Sequence, residues 1–282
     1  MSDPVDLNGR VAIVTGASRG IGKGLAIGLA GLGASVVCAA RSEHAKPGGM
    51  PGTIHETAAA INDAGGTAIA VRCDIGEPAD ITALLAATVE RFGRIDILVN
   101  NAAVVGPAVK HFLELDEATW DLVLDANLKG HFLCASRAAR HMVEQGAGVI
   151  INTSSGGASR AHRGMVSYDA AKGGVEAFTR AVALDLAPYG VRVVCIVPGL
   201  METSDTGAAA EERARASSLT VPLGRQGTGS DIAGAAVFLA GEDAGYLTGS
   251  CIYVDGGVLS QQRSLQVETF PLERYPRVGR LA

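Results

Sequence analysis

The sequence predicts an α/β fold in which helices cover both faces of one parallel sheet. Short runs rich in β-branched residues alternate with longer Ala-rich stretches from Val11 to Val254, and this alternation is typical of βαβ units. Apolar residues make up 48% of the chain, aromatic residues only 4%, and glycine occurs 37 times. This composition favours a buried parallel sheet covered by helices of small residues.

Hydrophobic periodicity places the individual elements along the chain. Strands are expected at Val11–Thr15, Ser35–Ala40, Ala68–Cys73, Ile95–Asn100, Gly148–Thr153, Val191–Val197 and Cys251–Val254. Helical spacing of apolar residues occurs in stretches such as Ile21–Leu32, Ala79–Phe92, Thr119–Glu144 and Tyr168–Tyr189. The Pro/Gly-rich residues 42–53 are expected to form a loop. Right-handed crossovers between the strands should place the helices on both faces of the sheet.

Charge and cysteine usage exclude several classes of protein. The chain has 24 basic and 29 acidic residues, a net charge of -5, and no basic cluster that would suit nucleic acid. No apolar run is long enough to span a membrane, and residues 1–10 lack a secretory pattern. The five cysteines stand singly, without metal-ligand spacing, which predicts reduced thiols, no metal site and a cytoplasmic location.

A glycine-rich loop directly follows the first predicted strand and opens a helix. Such a loop lets the backbone approach a pyrophosphate, which the free N–H groups of the helix N-terminus then bind. Asp74, at the end of the third strand, is expected near the adenine, followed by Ile75. Asn100 and Ala102 end the fourth strand at the predicted switch point, where ligands bind. The predicted contacts in the loop are Gly16, Ser18, Arg19, Gly20, Ile21 and Gly22.

A second group of residues suggests acid–base chemistry. Ser155 follows the fifth strand, and Tyr168 and Lys172 share one helical face. A nearby ammonium and a positively charged nicotinamide would lower the pKa of the tyrosine. Ser155 would bind the substrate oxygen, and Asn127 would hold a water that links Lys172 to solvent. A tyrosine and a lysine at this spacing also occur often by chance, so the pair alone does not establish catalysis.

These motifs together resemble the short-chain dehydrogenase/reductase family, in chain order and spacing, throughout residues 9–257. The motifs are Thr15-Gly16-x-x-x-Gly20-x-Gly22, Asn100-Asn101-Ala102, Asn127, Ser155, Tyr168-x-x-x-Lys172, Pro198-Gly199 and Asp255-Gly256-Gly257. The resemblance implies a Rossmann-like sheet of order 3-2-1-4-5-6-7, hydride transfer between a nicotinamide and a carbonyl or secondary alcohol, and a homotetramer or homodimer.

The resemblance also implies a role for each matched position. Tyr168 would be the general acid/base, Ser155 would orient the carbonyl, and Asn127 would hold the relay water. Lys172 would bind the ribose hydroxyls and lower the pKa of Tyr168. Further cofactor contacts are implied at Pro198, Gly199, Met201 and Thr203. Residues 1–260 would then form one dinucleotide-binding and catalytic domain with residues 200–222 as a substrate lid, followed by a C-terminal extension, residues 261–282.

Two departures and two alternatives accompany the resemblance. The family's usual Asn-Asn-Ala-Gly has Ala103 as its last residue here, and the loop after the second strand is longer than the family minimum. A redox sensor or scaffold that binds the dinucleotide without turnover is one alternative, which the intact catalytic set disfavours. A nucleotide-sugar epimerase or dehydratase would need a longer substrate domain. Arg160, His162 and Arg163 either face an acidic substrate or are solvated.

The end of the second strand bears on cofactor choice. NAD-specific enzymes place an acid there to bind the ribose 2′-hydroxyl, whereas this chain has Ala40 followed by Arg41. Arg41 and Arg19 can offer donors to a 2′-phosphate. The sequence therefore predicts NADP rather than NAD. In addition, the two longest predicted helices are apolar on more than one face, which predicts self-association.

Overall fold

In the computed structural model, one sheet of seven parallel strands has the order β3-β2-β1-β4-β5-β6-β7. The structure describes residues 5–44, 50–202, 211–212, 215–216 and 218–261. The strands are β1 Val11–Thr15, β2 Ser35–Ala40, β3 Thr67–Arg72, β4 Ile97–Asn100, β5 Gly148–Thr153, β6 Val191–Pro198 and β7 Cys251–Val254. The predicted fold class and strand order are confirmed.

Helices cover both faces of this sheet, as the alternation of elements predicts. They are α1 Gly20–Ala30, α2 Ile54–Asp63, α3 Pro78–Phe92, α4 Glu117–Leu124, α5 Gly130–Gln145, α6 Val166–Leu186 and α7 Gly229–Ala240. Alternate residues of β1 enter different cores: Ala12 and Val14 pack with α1, α2 and α7, and Ile13 packs with α3, α5 and α6. β1, at the centre of the sheet, is therefore shielded from water on both faces. No helix of the described residues is long and apolar enough to cross a membrane.

One predicted helix is interrupted, which corrects the single span expected from Thr119 to Glu144. Residues Asp125–Lys129 form a π-helical turn between α4 and α5. The wider turn contains Asn127, whose buried side chain bonds both polar groups of the Val104 backbone. Such turns are frequent at functional sites, and apolar periodicity does not reveal them because the residues on either side remain helical.

Other element boundaries differ less. β4 begins at Ile97 rather than Ile95, because the Gln145 side chain bonds both the N–H and the C=O of Ile95. The described parts of residues 42–53 contain no helix or strand, as predicted. About half of residues 200–222 and all of residues 262–282 lie outside the described residues.

Two helices beyond those named from the sequence, α2 and α7, begin with the same local motif. Thr53 and Glu56 form a capping box at α2, and Thr228 and Asp231 form one at α7. In each, the threonine side chain accepts from the backbone of the third helical residue, whose carboxylate accepts from the threonine N–H. The pattern Thr-x-x-acid can be recognised in the sequence and predicts where both helices begin.

Candidate active site

The glycine-rich loop fits the close approach of a dinucleotide. Gly16 has a φ of 72°, a left-handed conformation that side chains disfavour. A Cβ atom there would lie 2.8 Å from Asn101 Nδ2 and 2.9 Å from the Ala102 Cα. The loop, the end of β4 and the first turn of α1 therefore pack too tightly for any residue but glycine.

A cleft of about 530 Å³ opens at the carboxyl ends of the strands beside this loop. The predicted cofactor contacts that line it are Gly16, Ser18, Arg19, Gly20, Ile21, Gly22, Arg41, Asp74, Ile75, Ala102 and Met201. The N-terminus of α1 points its unpaired N–H groups into the same space, which suits a pyrophosphate. Thr203 lies outside the described residues.

Three predicted contacts lie beneath the cleft rather than in its wall. Asn100 is fully buried, and its Nδ2 donates to Asn152 Oδ1 (3.0 Å) and to the His131 carbonyl (3.2 Å). Pro198 ends β6, and the N–H of Gly199 donates to the Val254 carbonyl at 3.1 Å. These residues hold the strand ends together.

Thr15 and Asn101, which were not among the predicted cofactor contacts, join the ends of β1 and β4. The Thr15 hydroxyl accepts from the N–H groups of Asn101 and Ala102 and donates to the Val99 carbonyl. The Asn101 side chain returns a bond to the Thr15 carbonyl at 2.9 Å. These hydrogen bonds join the ends of β1 and β4 at the point where the strand order reverses.

The catalytic group predicted from the sequence comes together beside this cleft, at the carboxyl end of β5, and the group and the cleft together form the candidate site. Ser155 follows β5, and its hydroxyl bonds the Tyr168 side chain on the first turn of α6. Lys172, one turn further along, is buried, and its Nζ donates to the Thr153 carbonyl at 2.8 Å. The same Nζ lies 5.7 Å from the centre of the Tyr168 ring. One strand end and one helix thus carry all three side chains.

Burial controls the pKa values of this pair. It raises the pKa of Tyr168, and the hydrogen bond from Ser155 opposes that rise. It lowers the pKa of Lys172 to about 8. Desolvation of the phenol and the charge of Asp169 raise the tyrosine pKa in the protein alone, so its lowering by the ammonium together with a bound nicotinamide stays a prediction.

Asn127 is placed differently from the role foreseen for its side chain. Its Oδ1 accepts from the Val104 N–H at 2.7 Å, and its Nδ2 donates to the Val104 carbonyl at 2.9 Å. The amide is thus committed to holding the segment after β4 against the π-helical turn.

The opposite end of the candidate site carries basic groups on loops. Arg19 Nη2 donates to the Ser42 hydroxyl at 3.0 Å and to the Gly52 carbonyl at 3.1 Å. Arg41 is 60% exposed and pairs with Asp74 at 3.7 Å. Two guanidinium groups and a hydroxyl therefore lie around the end of β2, where the sequence places no acid.

Comparison with known proteins agrees with this architecture. A family model described as enoyl-(acyl carrier protein) reductase matches residues 16–259. The chain belongs to the short-chain dehydrogenase/reductase family. The short-chain reductase protein NovJ of Streptomyces niveus is 40% identical over 258 residues, which cover 88% of this chain and 93% of NovJ.

Two further comparisons extend over nearly the whole chain. A 3-oxoacyl-(acyl-carrier-protein) reductase of Synechocystis sp. is 38% identical over 256 residues, 90% of this chain and 98% of the relative. A crystal structure of a short-chain type dehydrogenase/reductase from Mycobacterium marinum has a TM-score of 0.81 at 35% identity, covering 90% of this chain and 96% of that one.

As a short-chain dehydrogenase/reductase, the protein is an NAD(P)-dependent oxidoreductase. This confirms the reaction class inferred from the motifs. Both curated relatives are named as reductases, and the comparisons lend no support to the alternative of a sensor or scaffold.

Proposed function

We propose that this enzyme reduces a ketone with NADPH, using Tyr168 as the proton donor. The observation that carries the proposal is that Ser155, Tyr168 and Lys172 lie together at the carboxyl end of β5, beside a cleft that suits a dinucleotide. When bound, the nicotinamide supplies the hydride. A proton source and an oxygen-binding group beside that hydride are what carbonyl reduction requires.

The chain's own groups divide the work. Ser155 donates a hydrogen bond to the substrate carbonyl oxygen, where negative charge develops, and Tyr168 delivers its phenolic proton to that oxygen. Lys172 uses one donor on Thr153 and offers its remaining donors to the ribose hydroxyls. Because burial raises the pKa of Tyr168, Lys172 and the positive charge left on the oxidised nicotinamide must together stabilise the phenolate.

The preference for NADPH over NADH rests on the loop end of the cleft. Arg41 directly follows Ala40, the position at which NAD-specific enzymes place an acid, and Arg19 lines the same cleft. The Ser42 hydroxyl is already bonded to Arg19, so the three side chains form a donor cluster suited to a 2′-phosphate. Asp74, which pairs with Arg41, would release the guanidinium and contact the adenine.

Self-association is proposed through α5 and α6. These helices enclose an apolar groove of about 400 Å³, lined by Phe132, Phe178 and Val182 among others. Phe132 remains 49% exposed and meets the edge of the Phe178 ring at 6.4 Å. A second copy related by a two-fold axis would bury both rings, giving a homodimer or, with a second interface, a homotetramer.

Three further properties are proposed from the sequence. They are a cytoplasmic location, a single dinucleotide-binding and catalytic domain, and a substrate lid formed by residues 200–222.

The test of activity is a screen of ketones and secondary alcohols, 3-oxoacyl thioesters included, with both nicotinamide cofactors. We expect NADPH oxidation with a ketone and a higher kcat/KM for NADPH than for NADH. The proposal would be contradicted by a purified, folded enzyme that binds NADPH but does not oxidise it in the presence of any carbonyl compound of the screen.

The test of assembly is light scattering of Phe132→Arg. We expect the variant to dissociate, because the groove cannot cover a guanidinium at its centre, while the wild type is an oligomer at micromolar concentration. Ile27 is a partly exposed residue of α1 outside the groove, so Ile27→Arg is the matched control and should assemble normally. A monomeric wild type would refute the proposed interface.

A further inference from the structure

A histidine and a carboxylate beside the catalytic tyrosine form a pair that the reaction as described does not use. Asp169 immediately follows Tyr168 on α6. Its carboxylate accepts from the His162 backbone N–H at 2.6 Å and contacts His162 Nδ1 at 2.8 Å. The Asp169 side chain is 11% exposed, whereas the His162 side chain is 43% exposed. A shielded acid thus holds an accessible imidazole.

The surrounding backbone is shaped to admit this pair. Gly157, two residues after Ser155, lies so close to Asp169 Oδ1 and to the His162 ring that a Cβ atom would collide with both. Only glycine fits there. The loop between Ser155 and Tyr168 is therefore folded around the histidine–aspartate contact.

The orientation of the imidazole follows from its partner. Since a carboxylate accepts hydrogen bonds, Nδ1 carries a proton. No described residue pairs with Nε2, the ring atom farthest from Asp169. The His162 ring stands 6.5 Å from the Tyr168 ring, inclined at 61°. The imidazole is therefore a direct neighbour of the phenol ring that is proposed to donate the proton.

We propose that His162 is a specificity-determining residue whose Nε2 binds a second oxygen on the substrate, close to the reacting carbonyl. The proposal rests on the proposed ketone reductase function and narrows its substrates to oxygenated ketones, such as 3-oxo esters and hydroxyketones. Neutral imidazole accepts from a hydroxyl at Nε2, and imidazolium donates to a carbonyl oxygen. Asp169 acts as the positioning residue that fixes which nitrogen faces the substrate.

The charged groups around the pair are compatible with this role. Asp169 faces the imidazole directly, and among the described residues the Tyr168 ring is the other titratable group that stands against it. Arg160 and Arg163 belong to the same loop.

Replacing His162 by asparagine or by glutamine distinguishes a role in substrate binding from a role in the structure of the loop. In His162→Asn the amide occupies the position of Nδ1 and can still bond Asp169, but nothing replaces Nε2. In His162→Gln the amide reaches the position of Nε2. His141→Asn, on α5, is the control for the substitution itself. Each variant is assayed with NADPH and three ketones: ethyl 3-oxobutanoate, 4-hydroxy-2-butanone and 2-hexanone.

We expect His162→Asn to lower kcat/KM about tenfold for whichever oxygenated ketone the wild type prefers, mainly through KM, as loss of one hydrogen bond predicts. Activity toward 2-hexanone should stay within about twofold, and His162→Gln should recover most of the loss. Preference for the ester or for the hydroxyketone identifies the oxygen. Equal loss on all three ketones, or no loss on any, would overturn the proposal.

A binding measurement separates this inference from the proposed reaction. In enzyme carrying ¹⁵N-labelled histidine and saturated with NADP⁺, the Nε2 resonance of His162 should shift on titration with ethyl 3-hydroxybutanoate but not with 2-hexanol. This shift does not depend on turnover, so it is expected even if no ketone is reduced. An unchanged His162 signal with both alcohols rejects the role of His162, whether or not the enzyme turns over.

Discussion

The two ends of the candidate site are built by different means. At the catalytic end, Lys172 is buried and bonded to the backbone of β5, and Tyr168 lies on a helix packed against that strand. At the adenosine end, Arg41 is mostly exposed and its ion pair spans 3.7 Å. The first region depends on core packing, whereas the second depends on loop residues and long flexible side chains.

This difference indicates which substitutions alter turnover or folding and which alter the choice of cofactor. Buried polar groups with fixed partners are costly to alter, because a lost partner leaves an unsatisfied atom in the interior. Exposed charges contribute little to stability, so they can be exchanged to alter the choice of cofactor. We therefore expect substitutions at the catalytic end to affect turnover or folding, and substitutions at the adenosine end to affect cofactor choice.

The largest effect is expected for Tyr168→Phe. The ring and its packing remain, but the ionisable hydroxyl is lost, so kcat should fall about 10³-fold, within the usual range for general acid–base catalysis. Fluorescence titration should give a Kd for NADPH close to that of the wild type. Comparable turnover in the variant would show that the proton comes from another group.

Lys172→Met should damage both binding and turnover, because one ammonium serves the ribose and the tyrosine. Since the pKa of Lys172 is lowered to about 8, its charge is present below about pH 8 and lost above it. The wild-type kcat/KM should fall as the pH rises through this value. That alkaline limb should be absent from the residual activity of the variant; a limb that persists would assign it to another residue.

Exchange of the adenosine-end charges should reverse the cofactor preference. In Ala40→Asp with Arg41→Ala, the acid repels a 2′-phosphate and one guanidinium is lost, so the ratio of kcat/KM for NADPH to NADH should fall about ten- to a hundredfold. Turnover with saturating NADH should remain. A wild type that already favours NADH, or an unchanged ratio, would place the discriminating contact elsewhere.

The smallest effects are expected in the free energy of unfolding. It should fall more for a buried substitution in β5 than for an exposed one at the adenosine end. Asn152→Ala removes bonds to Asn100 and Thr179 in the core and should lower the free energy of unfolding by about 2 kcal/mol. Arg41→Ala breaks an exposed ion pair and should change it by less than about 0.5 kcal/mol. Urea unfolding measures both, and a similar loss in the two variants would erase the distinction.

The sequence by itself determined the elements and the order of the motifs. Short continuous runs of β-branched and other apolar residues locate the strands because a buried parallel strand must be apolar on both faces. The spacing of Tyr168 and Lys172 puts them on one face of α6 because a helix turns in 3.6 residues. The glycine-rich loop could be placed since its conformation and close contacts admit no side chain at Gly16.

Only the tertiary structure decided what depends on distant contacts. The π-helical turn at Asn127 exists where the amide meets Val104. The pKa of Tyr168 rises because the folded chain withdraws the phenol from water. The pairing of His162 with Asp169 depends on how the loop folds over Gly157. Such contacts join residues by the path of the backbone in space, which local periodicity does not encode.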